Sequence, residues 1–469
     1  MSIVFENDKG WLLDACSLID QGHARCISQS KADRQRYFKC RFKQQCFQIL
    51  KCHFNMNPGN TDLQKTFSDN VSKAENGTTS RVPSKKRKRK RSDLNQGEMD
   101  SLSYHVKVRP FIAEGTKSLV DAGLSCGYLN GERGPQGPHP FQECNLAALC
   151  DLAKVLPLVS DPDKDTQQLQ FVDSEDDSAA QLDLFTRVTE NRMDCAVEVT
   201  LMGEKYIIPP QCSFLLSDFT RMQPLVDREQ TYELIVLDPP WENKSVKRSR
   251  RYSFLPSTQL KRLPVPSLAS PGCLVVTWVT NRPSHLRFVR EELYPHWGVK
   301  VLAEWLWVKV TRSGEFVFPL DSQHKRPYEV LVLGRYHGNS PESPSPSETS
   351  KIPVEDQRVI VSVPSVLHSQ KPSLSEVLKP FVGADASCLE LFARSLLPGW
   401  ACWGNEVLKF QHVSYFTIEA TEEPIEQPAE TSTEYPVEKP PETSTDVSIE
   451  QPADTETPSS YSSHTGLRN

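Results

Sequence analysis

Long apolar runs are missing from this 469-residue chain, and only 38% of its residues are hydrophobic. Because no stretch of about 18 consecutive apolar residues occurs, we expect no membrane-spanning helix. The start, "MSIVFENDKGWLLDACSLID", has acidic side chains where a signal peptide would be apolar and lacks a basic leader. We therefore expect an intracellular protein. The 36 prolines cluster outside the apolar segments, so parts of the chain are expected to lie outside any packed core.

A regular cysteine pattern is also missing. The 13 cysteines are odd in number, irregularly spaced and without a Cys-x-x-Cys pair, which argues against a disulfide framework. Cys40, Cys46 and the pair Cys52-His53 could be considered as metal ligands. Their spacing matches no common zinc knuckle, so we expect reduced thiols and no metal.

Charge is distributed unevenly along the chain. Residues 419–469 contain twelve acidic and two basic residues, more than enough to account for the net charge of −6, so the rest of the chain is mildly basic. The run "KKRKRKR", from Lys85 to Arg91, is predicted to be a nuclear localisation signal that binds an import receptor. A non-specific nucleic-acid-binding arm is the alternative. The expected location is the nucleus, with the cytoplasm as a second location.

Composition divides the chain into five segments. From about residue 196, short runs rich in Val, Leu, Ile and aromatic residues alternate with helix-like pieces, which predicts an α/β sheet. Several runs are apolar throughout, as strands covered on both faces are. The predicted segments are an N-terminal helical and basic region (1–53), a disordered linker (54–100), a mainly helical accessory region (101–190), the sheet domain (191–418, with a Ser/Pro loop at 337–356) and a disordered acidic tail (419–469).

The stretch "YELIVLDPPW" carries the most specific chemistry. The apolar run 234–237 predicts a buried strand, so Asp238 lies at its carboxyl end, where α/β proteins place their sites. Pro239 and Pro240 stiffen the following backbone and remove two N–H donors while leaving carbonyl acceptors. The Asp238 carboxylate and a nearby carbonyl therefore form a rigid acceptor pair, and Trp241 offers a flat face. A turn around a buried tryptophan is the alternative interpretation.

A planar base with an exocyclic amine would satisfy this acceptor pair, and both adenine and cytosine qualify. The lone pair of such an amine is delocalised into the ring, so the amine is a poor nucleophile. Two acceptors would orient it toward an electrophile. The natural electrophile is the methyl sulfonium of S-adenosylmethionine.

A dense basic loop follows directly. Five of the residues from 244 to 251 are basic, more than a tight turn requires, and beside a base-binding site they indicate phosphate contacts. These predicted substrate-binding residues are Lys244, Lys247, Arg248, Arg250 and Arg251.

Residues 195–416 resemble the adenine amino-methyltransferases related to the catalytic subunit of the mRNA adenosine methylase. The motif Asp238-Pro239-Pro240-Trp241 is followed, in the family's order, by "CLVVTWVTNR", "LAEWLWVK", "HSQKPSLSEVL", "LELFAR" and "GWACWGNE". "YIIPPQCSFLLSD", "NKSVKRS" and "SGEFVFPLDS" are similar to one branch of the family. The resemblance implies a Rossmann-like, S-adenosylmethionine-dependent methyltransferase sheet with permuted motif order. That fits the absence of a Gly-x-Gly-x-x-Gly motif.

The resemblance also implies which residues act. Asp238, Pro239, Pro240 and Trp241 would be catalytic, and Tyr252 would lie near the target base. The implied cofactor-binding residues are Asp218, Asp238, Lys371, Phe392, Arg394, Asn405 and Glu406. In the chemistry expected of them, Lys371 binds the methionine carboxylate, Arg394 or Asn405 the ribose hydroxyls, and Phe392 packs on the adenosine.

Three functional hypotheses remain open on the sequence. An active methyltransferase is favoured because non-catalytic partner subunits of the family lose Asp-Pro-Pro-Trp, which this chain keeps. A methyltransferase of protein or glutamine amides would use a related loop, but the tryptophan and the basic loop favour nucleic acid. RNA is favoured over DNA as the substrate, most specifically 2′-O-methyladenosine in small nuclear RNA, and we expect a monomer.

Overall fold

The computed structural model describes residues 2–28, 36–49, 95–130, 169–172, 183–242, 255–322, 325–338 and 352–420. The strands are β1 (Ile3–Asn7), β2 (Gly10–Leu13), β3 (Cys26–Ser28), β4 (Arg36–Phe42), β5 (Leu169–Phe171), β6 (Val188–Asn191), β7 (Ala196–Leu201), β8 (Glu204–Ile208), β9 (Cys212–Leu215), β10 (Tyr232–Leu237), β11 (Ala269–Val279), β12 (Val299–Lys309), β13 (Tyr328–Tyr336), β14 (Val359–Ser362), β15 (Cys388–Leu391), β16 (Trp400–Trp403) and β17 (Phe416–Ala420).

The α-helices are α1 (Ala15–Gln21), α2 (Gln96–Ser125), α3 (Gln223–Val226), α4 (Val265–Leu268), α5 (Pro283–Phe288), α6 (Tyr294–His296) and α7 (Ser375–Val382). A π-helical turn, Val289–Leu293, joins α5 to α6. Short 3₁₀ turns lie at Gln44–Phe47, Ser257–Arg262, Lys409–Gln411 and Val413–Tyr415. No helix within the described ranges combines the length and the apolar character needed to cross a bilayer.

A twelve-stranded sheet organises the structure, in the order β1-β2-β14-β12-β13-β11-β10-β15-β16-β9-β6-β5. Strand β10 pairs in parallel with β11 on one side and with β15 on the other. Strand β13 is antiparallel to both β11 and β12. This mixed α/β sheet confirms the predicted methyltransferase fold class. Because β10 precedes β15 and β16 in the chain, the strand that leads into Asp238 comes before the β15–β16 half, as the permuted order predicts.

Both faces of the central strand are buried, as its uninterrupted apolar run predicts. Ile235 and Leu237 belong to one hydrophobic cluster, whereas Leu234 and Val236 belong to another on the opposite face. Alternate side chains of a strand point to opposite faces, so the two clusters lie on either side of the sheet.

The prediction of a helical N-terminal region at 1–53 is wrong. Strand β2 pairs in parallel with β14, and β1 adds to β2, so these residues extend the main sheet. The stretch "GWLLDACSLID" divides at Asp14, whose carboxylate accepts from the N–H groups of Cys16 and Ser17 and caps α1. Gly10 is needed in β2 because a Cβ there would come within 1.8 Å of the carbonyl oxygen of Val359. Strand pairing across some 350 residues overrides the local helical pattern.

A second sheet of five strands, in the order β17-β4-β3-β7-β8, also joins N-terminal residues to the later domain. The segment boundaries at 53 and 191 therefore do not separate folding units. The same holds at the linker boundary: α2 begins at Gln96, inside the predicted linker, because Asn95 and Glu98 form a capping box. Within the predicted helical region, residues 169–171 and 188–191 are strands, since they pair with each other and β6 pairs with β9. The stretch "LAALCDLAKVLPLV" (146–159), whose apolar residues at helical spacing contribute to the predicted helical region, lies outside the described residues.

Candidate active site

Asp238 follows β10 at the point where the strand order reverses. From β10 the chain continues to β11 on one side, whereas β15 continues to β16 on the other. The carboxyl ends of these parallel strands, at Leu237, Leu391 and Trp403, form one border of the sheet, which we call the catalytic edge. Such a switch point opens a crevice between diverging connections. The sequence therefore predicted the position of Asp238 correctly.

Asp238 is only 7% exposed and is compensated by two cations. Arg394 donates from Nη1 to Oδ2 of Asp238 across 2.5 Å. The ammonium of Lys371 lies 3.7 Å from Oδ1. A buried carboxylate without such partners would be strongly disfavoured, so the two cations hold the carboxylate in place.

Charges alternate along the catalytic edge on both sides of Asp238. On one side Lys371 also contacts Glu329 at 2.6 Å, and Glu329 contacts Lys309 at 2.5 Å. On the other side Arg394 contacts Glu406 at 3.1 Å from its Nε. We call the set Lys309, Glu329, Lys371, Asp238, Arg394 and Glu406 the ion chain.

Neighbouring charges decide the protonation of the ion chain. Burial by itself raises the pKa of Glu329, but Lys309 and Lys371 outweigh it and hold that pKa well below its ordinary value. For Lys371, burial lowers the pKa, yet Asp238 and Glu329 together raise it above its ordinary value. Both groups are therefore charged at neutral pH.

Glu390 lies outside the ion chain and behaves differently. It precedes Leu391 in β15 and borders the same cleft as Asp238. Burial, with a smaller contribution from the charge of Asp238, raises the pKa of Glu390 to about 8, against an opposing effect of Arg394. A carboxyl that is neutral near pH 7 can donate a hydrogen bond, which the carboxylate of Asp238 cannot.

The two prolines fix a backbone whose carbonyls are already in use. The Pro239 oxygen accepts from the N–H of Trp241 at 2.8 Å, and the Pro240 oxygen accepts from the N–H of Leu255 at 3.1 Å. Each carbonyl has two lone pairs, so each can accept one further hydrogen bond. The rigid acceptors predicted from the sequence are present, with half of their capacity satisfied internally.

The expectation that Trp241 offers a flat face to a base is wrong for this structure. The indole is 5% exposed and stacks on His285, with ring centroids 4.8 Å apart. Its Nε1 donates to the carbonyl of Trp278 at 2.8 Å. Trp241 therefore anchors the Asp-Pro-Pro turn to β11. Burial, assisted by Arg282, lowers the pKa of His285 to about 4, so the stacked imidazole is neutral.

The other predicted cofactor residues lie at the catalytic edge. Phe392 directly follows β15 and adopts a φ of +62°, a left-handed conformation uncommon for a bulky residue. Its ring packs edge-on against Trp403 at 5.1 Å. Asn405 follows β16 and is partly buried. Asp218 follows β9 and accepts from the N–H and hydroxyl of Thr220 at 2.9 and 2.5 Å.

Glu406 is placed differently from the other predicted cofactor residues. It accepts from Arg394 and lies 3.6 Å from the ammonium of Lys409. In this structure it orients Arg394 toward Asp238.

A cleft opens beside Asp238. Asp238, Lys371 and Arg394 border it from the sheet, and Leu18 and Ile19 of α1 border it from the N-terminal segment. The N-terminal residues therefore supply one wall of the candidate active site, which no local sequence motif indicated.

The basic loop and the localisation signal fall outside the described residues. This applies to Lys244, Lys247, Arg248, Arg250, Arg251 and Tyr252, and to the run from Lys85 to Arg91. The chain leaves the described structure at Glu242 and returns at Leu255, whose N–H bonds to Pro240. The described residues on either side of the basic loop, Glu242 and Leu255, therefore lie at the catalytic edge.

Within the described part of the chain, no three His, Cys, Asp or Glu side chains are grouped as metal ligands. Cys40 and Cys46 are buried free thiols. Cys52 and His53 lie outside the described residues.

Sequence reasoning missed several cleft and edge residues, although a signal was present for some of them. Glu329 and Glu390 are acidic residues inside the apolar runs "YEVLVLG" and "CLELFA". An acid within a strand that is otherwise buried requires a partner or a function. Gln370 carried no such signal apart from its position next to Lys371.

Comparison with known proteins agrees with this geometry. The MT-A70 family pattern matches residues 232–406. The N(6)-adenine-specific methyltransferase METTL4 of Homo sapiens is 52% identical over 337 residues, covering 70% of this chain and 71% of the relative. The N6-methyladenosine RNA methyltransferase MTA1 of Pyricularia oryzae is 34% identical over 230 residues, covering 47% of this chain and 59% of the relative.

A Caenorhabditis elegans relative named DNA N6-methyl methyltransferase is 34% identical over 220 residues, covering 46% of this chain and 56% of the relative. The resemblance predicted from the ordered sequence blocks is therefore confirmed. The chain belongs to the MT-A70 family of N(6)-adenine methyltransferases.

Proposed function

We propose that this N(6)-adenine methyltransferase transfers the methyl group of S-adenosylmethionine to adenosine in RNA, and that 2′-O-methyladenosine in small nuclear RNA is its target. The observation that carries the chemistry is the buried Asp238 carboxylate, which faces a cleft at the sheet's switch point and is held by Arg394 and Lys371. DNA adenine is the second candidate substrate, which the name of the Caenorhabditis elegans relative supports.

The cleft residues fit the proposed cofactor. A zwitterionic amino acid joined to a nucleoside needs cations, carboxylates and amide groups within one cleft. Lys371, Arg394 and Asp238 border the cleft, and Asn405 follows the neighbouring strand β16. When bound, the cofactor would supply an electrophilic methyl group. Because Lys371 and Arg394 already contact acidic residues, we expect cofactor binding to replace some ion-chain contacts.

Asp238 would act on the amine of the target base. Its two oxygens offer about four acceptor positions, of which Arg394 and Lys371 occupy part. An N–H of the adenine amine can donate to a remaining position. Holding the amine this way aims its lone pair out of the acceptor plane, and the fixed carboxylate stabilises the positive charge that develops on nitrogen. The neutral carboxyl of Glu390 leaves Asp238 as the negative group of the cleft.

RNA is favoured as substrate by the names of two relatives. Fungal relatives from Pyricularia oryzae and Cryphonectria parasitica are named RNA methyltransferases, at 34% and 35% identity. The basic loop, which follows Glu242 in the chain, suits the phosphate backbone of either nucleic acid. Base access requires an unstacked nucleotide, which single-stranded RNA supplies at low cost.

Nucleoside mass spectrometry tests the proposal. Purified protein is incubated with isotope-labelled S-adenosylmethionine and matched RNA and DNA oligonucleotides, with and without a 2′-O-methyl group on the single adenosine. The expected product is labelled N(6)-methyladenosine, formed fastest on the 2′-O-methylated RNA. Faster labelling of the DNA would replace the RNA proposal, and no labelling of any adenine would overturn the function.

We also propose that the protein works as a monomer and reaches the nucleus through the run from Lys85 to Arg91. Seven consecutive basic residues can bind an import receptor in an extended conformation. Import would bring the enzyme to nuclear RNA, and a cytoplasmic pool is part of the proposal.

A further inference from the structure

A buried amide at the Asp238 cleft reaches no side-chain hydrogen-bonding partner in the part of the chain that the structure describes. Gln370 is 6% exposed and borders the same cleft as Asp238 and Glu390. Neither Nε2 nor Oε1 of this side chain reaches a partner among the described residues. An unsatisfied buried polar group destabilises the folded protein, so its presence in a site calls for a ligand that satisfies it.

The backbone holds Gln370 in this unfavourable position. Ser369, directly before it, adopts a φ of +66° in the left-handed region. The N–H of Gln370 bonds to the carbonyl of Leu367, and Pro372 follows Lys371. A strained backbone conformation of this kind persists only where the surrounding structure enforces it, and such residues cluster at functional sites. Here both Gln370 and Lys371 border the cleft.

A second buried amide at the same cleft shows what a structural glutamine looks like. Gln411 is 2% exposed, and its Nε2 donates to the carbonyl of Ile207 at 2.7 Å. Its Oε1 accepts from the N–H of Leu396 at 3.1 Å. Gln411 thus ties three segments together, whereas Gln370 ties none.

The chemistry of an amide selects the group that it can bind. A glutamine presents a donor and an acceptor side by side, and adenine presents the complement: an N6 amine next to the ring nitrogens N1 and N7. A neutral heterocycle edge also leaves no unpaired charge against a neutral amide. Two adenines belong to the proposed reaction, that of the target nucleotide and that of the cofactor.

We propose that Gln370 recognises the edge of the target adenine. Its Oε1 accepts from N6, and its Nε2 donates to N1 or N7. The inference rests on the proposed function. The target is favoured over the cofactor because Gln370 shares the cleft with Asp238, the group proposed to accept from the target amine. Gln370 then supplies an acceptor for N6 besides Asp238.

The test compares wild-type full-length protein with Gln370→Leu. The substrates are a single-stranded RNA oligonucleotide with one adenosine and versions with 1-deazaadenosine or 7-deazaadenosine at that position. We expect Gln370→Leu to lower kcat/KM on adenosine by about tenfold or more, as loss of a two-point base contact does. For wild type, one of the two deaza analogues should lower kcat/KM by a similar factor. For Gln370→Leu the same analogue should lower kcat/KM little, because the contact to that ring nitrogen is already missing.

Two further measurements separate the alternatives. Affinity for S-adenosylmethionine by calorimetry should be unchanged in Gln370→Leu; a weaker affinity with no coupling to the deaza analogues would assign the amide to the cofactor and overturn the proposal. Thermal unfolding without ligand should leave Tm unchanged or higher, because the substitution removes an unsatisfied amide. The matched control Gln411→Leu should lower Tm by several degrees, since it leaves two backbone groups unpaired.

The remaining outcomes are also decisive. If Gln370→Leu lowers Tm as Gln411→Leu does, Gln370 is structural and the proposal fails. If the leucine variant does not fold, Gln370→Asn, which keeps the amide but is one methylene shorter, must show the same kinetic loss. Normal kinetics in a folded variant would reject this inference while leaving the proposed function intact; failure of wild type to methylate adenine would reject the function itself.

Discussion

Arg394 donates to Asp238 across 2.5 Å although 156 residues separate the two in the chain. The same guanidinium donates from Nε to Glu406 at 3.1 Å. The fixed fork of an arginine reaches both carboxylates at once, so Arg394 links the carboxyl ends of β10 and β16. The position of the acceptor in the Asp-Pro-Pro turn therefore depends on a residue after β15.

Replacing Asp238 by Ala should lower turnover by a hundredfold or more, the usual effect of losing one preorganised group that interacts with the transition state. Asp238→Asn should be similarly inactive, because an amide does not carry the negative charge. Both variants should fold but unfold at a lower temperature, since Arg394 and Lys371 each lose their contact with the Asp238 carboxylate. The measurements are methyl transfer and thermal unfolding. Near-normal turnover in a folded variant would remove Asp238 from the chemistry.

Arg394→Lys should lower kcat/KM by about tenfold or more despite the conserved charge. A lysine lacks the planar fork that donates to Asp238 from Nη1 and to Glu406 from Nε in fixed directions, so it cannot reproduce that geometry. The matched control is Arg41→Lys, because Arg41 pairs with Glu419 at 3.2 Å on the exposed surface. Surface pairs contribute little, so the control should retain activity and Tm. Equal behaviour of the two variants would show that the fork geometry is unimportant.

Glu390→Gln should change how stability depends on pH. The pKa of Glu390 is raised to about 8, mainly by burial, so the folded state binds this proton more tightly than the unfolded state does. Its contribution favours folding below the ordinary carboxyl pKa and is lost as the pH rises toward 8. Relative to the permanently neutral glutamine variant, wild type should lose stability on the order of a few kcal/mol between pH 5 and pH 9. If the free energies of unfolding of wild type and Glu390→Gln changed equally with pH across that range, the raised pKa would be contradicted.

The basic loop should contribute phosphate contacts. Replacing Lys247 and Arg248 together by Ala should weaken RNA binding and reduce the log–log salt slope by roughly one to one and a half, because each lost contact to a single strand accounts for about 0.7. Affinity for S-adenosylmethionine should stay constant. Lys379→Ala is the control, since Lys379 lies near Leu234 and Cys388, where β10 and β15 begin, at the opposite end of the strands. Binding titrations at several salt concentrations measure the slope. An unaltered slope in the double variant would show that Lys247 and Arg248 are surface charges that do not contact phosphates.

Replacing Lys85 to Arg91 by Ala should move the protein from the nucleus to the cytoplasm while leaving the methyl-transfer rate of the purified enzyme largely intact. Fluorescence microscopy of a tagged chain measures the location, and the methylation assay provides the control. Unchanged nuclear enrichment would argue against the localisation signal, and a large loss of activity would support the nucleic-acid-binding arm instead.

The sequence by itself determined the features that depend on neighbouring residues. An apolar run followed by Asp-Pro-Pro predicted a buried strand and an acidic residue at its carboxyl end. Alternating runs predicted the α/β sheet, and the ordered blocks indicated the family. These signals are local because strand burial, proline geometry and short motifs each depend on residues that are close together in the sequence.

Only the tertiary structure decided the features that depend on distant pairing. Strand β2 joins the main sheet through β14, and α1 becomes a wall of the cleft, although residues 1–53 resemble a helical region when considered alone. Trp241 is buried against His285. Likewise, nothing in the letters distinguishes Gln370 from Gln411. The hydrogen-bonding partners of a buried side chain come from segments that are distant in the chain, so no local sequence pattern predicts them.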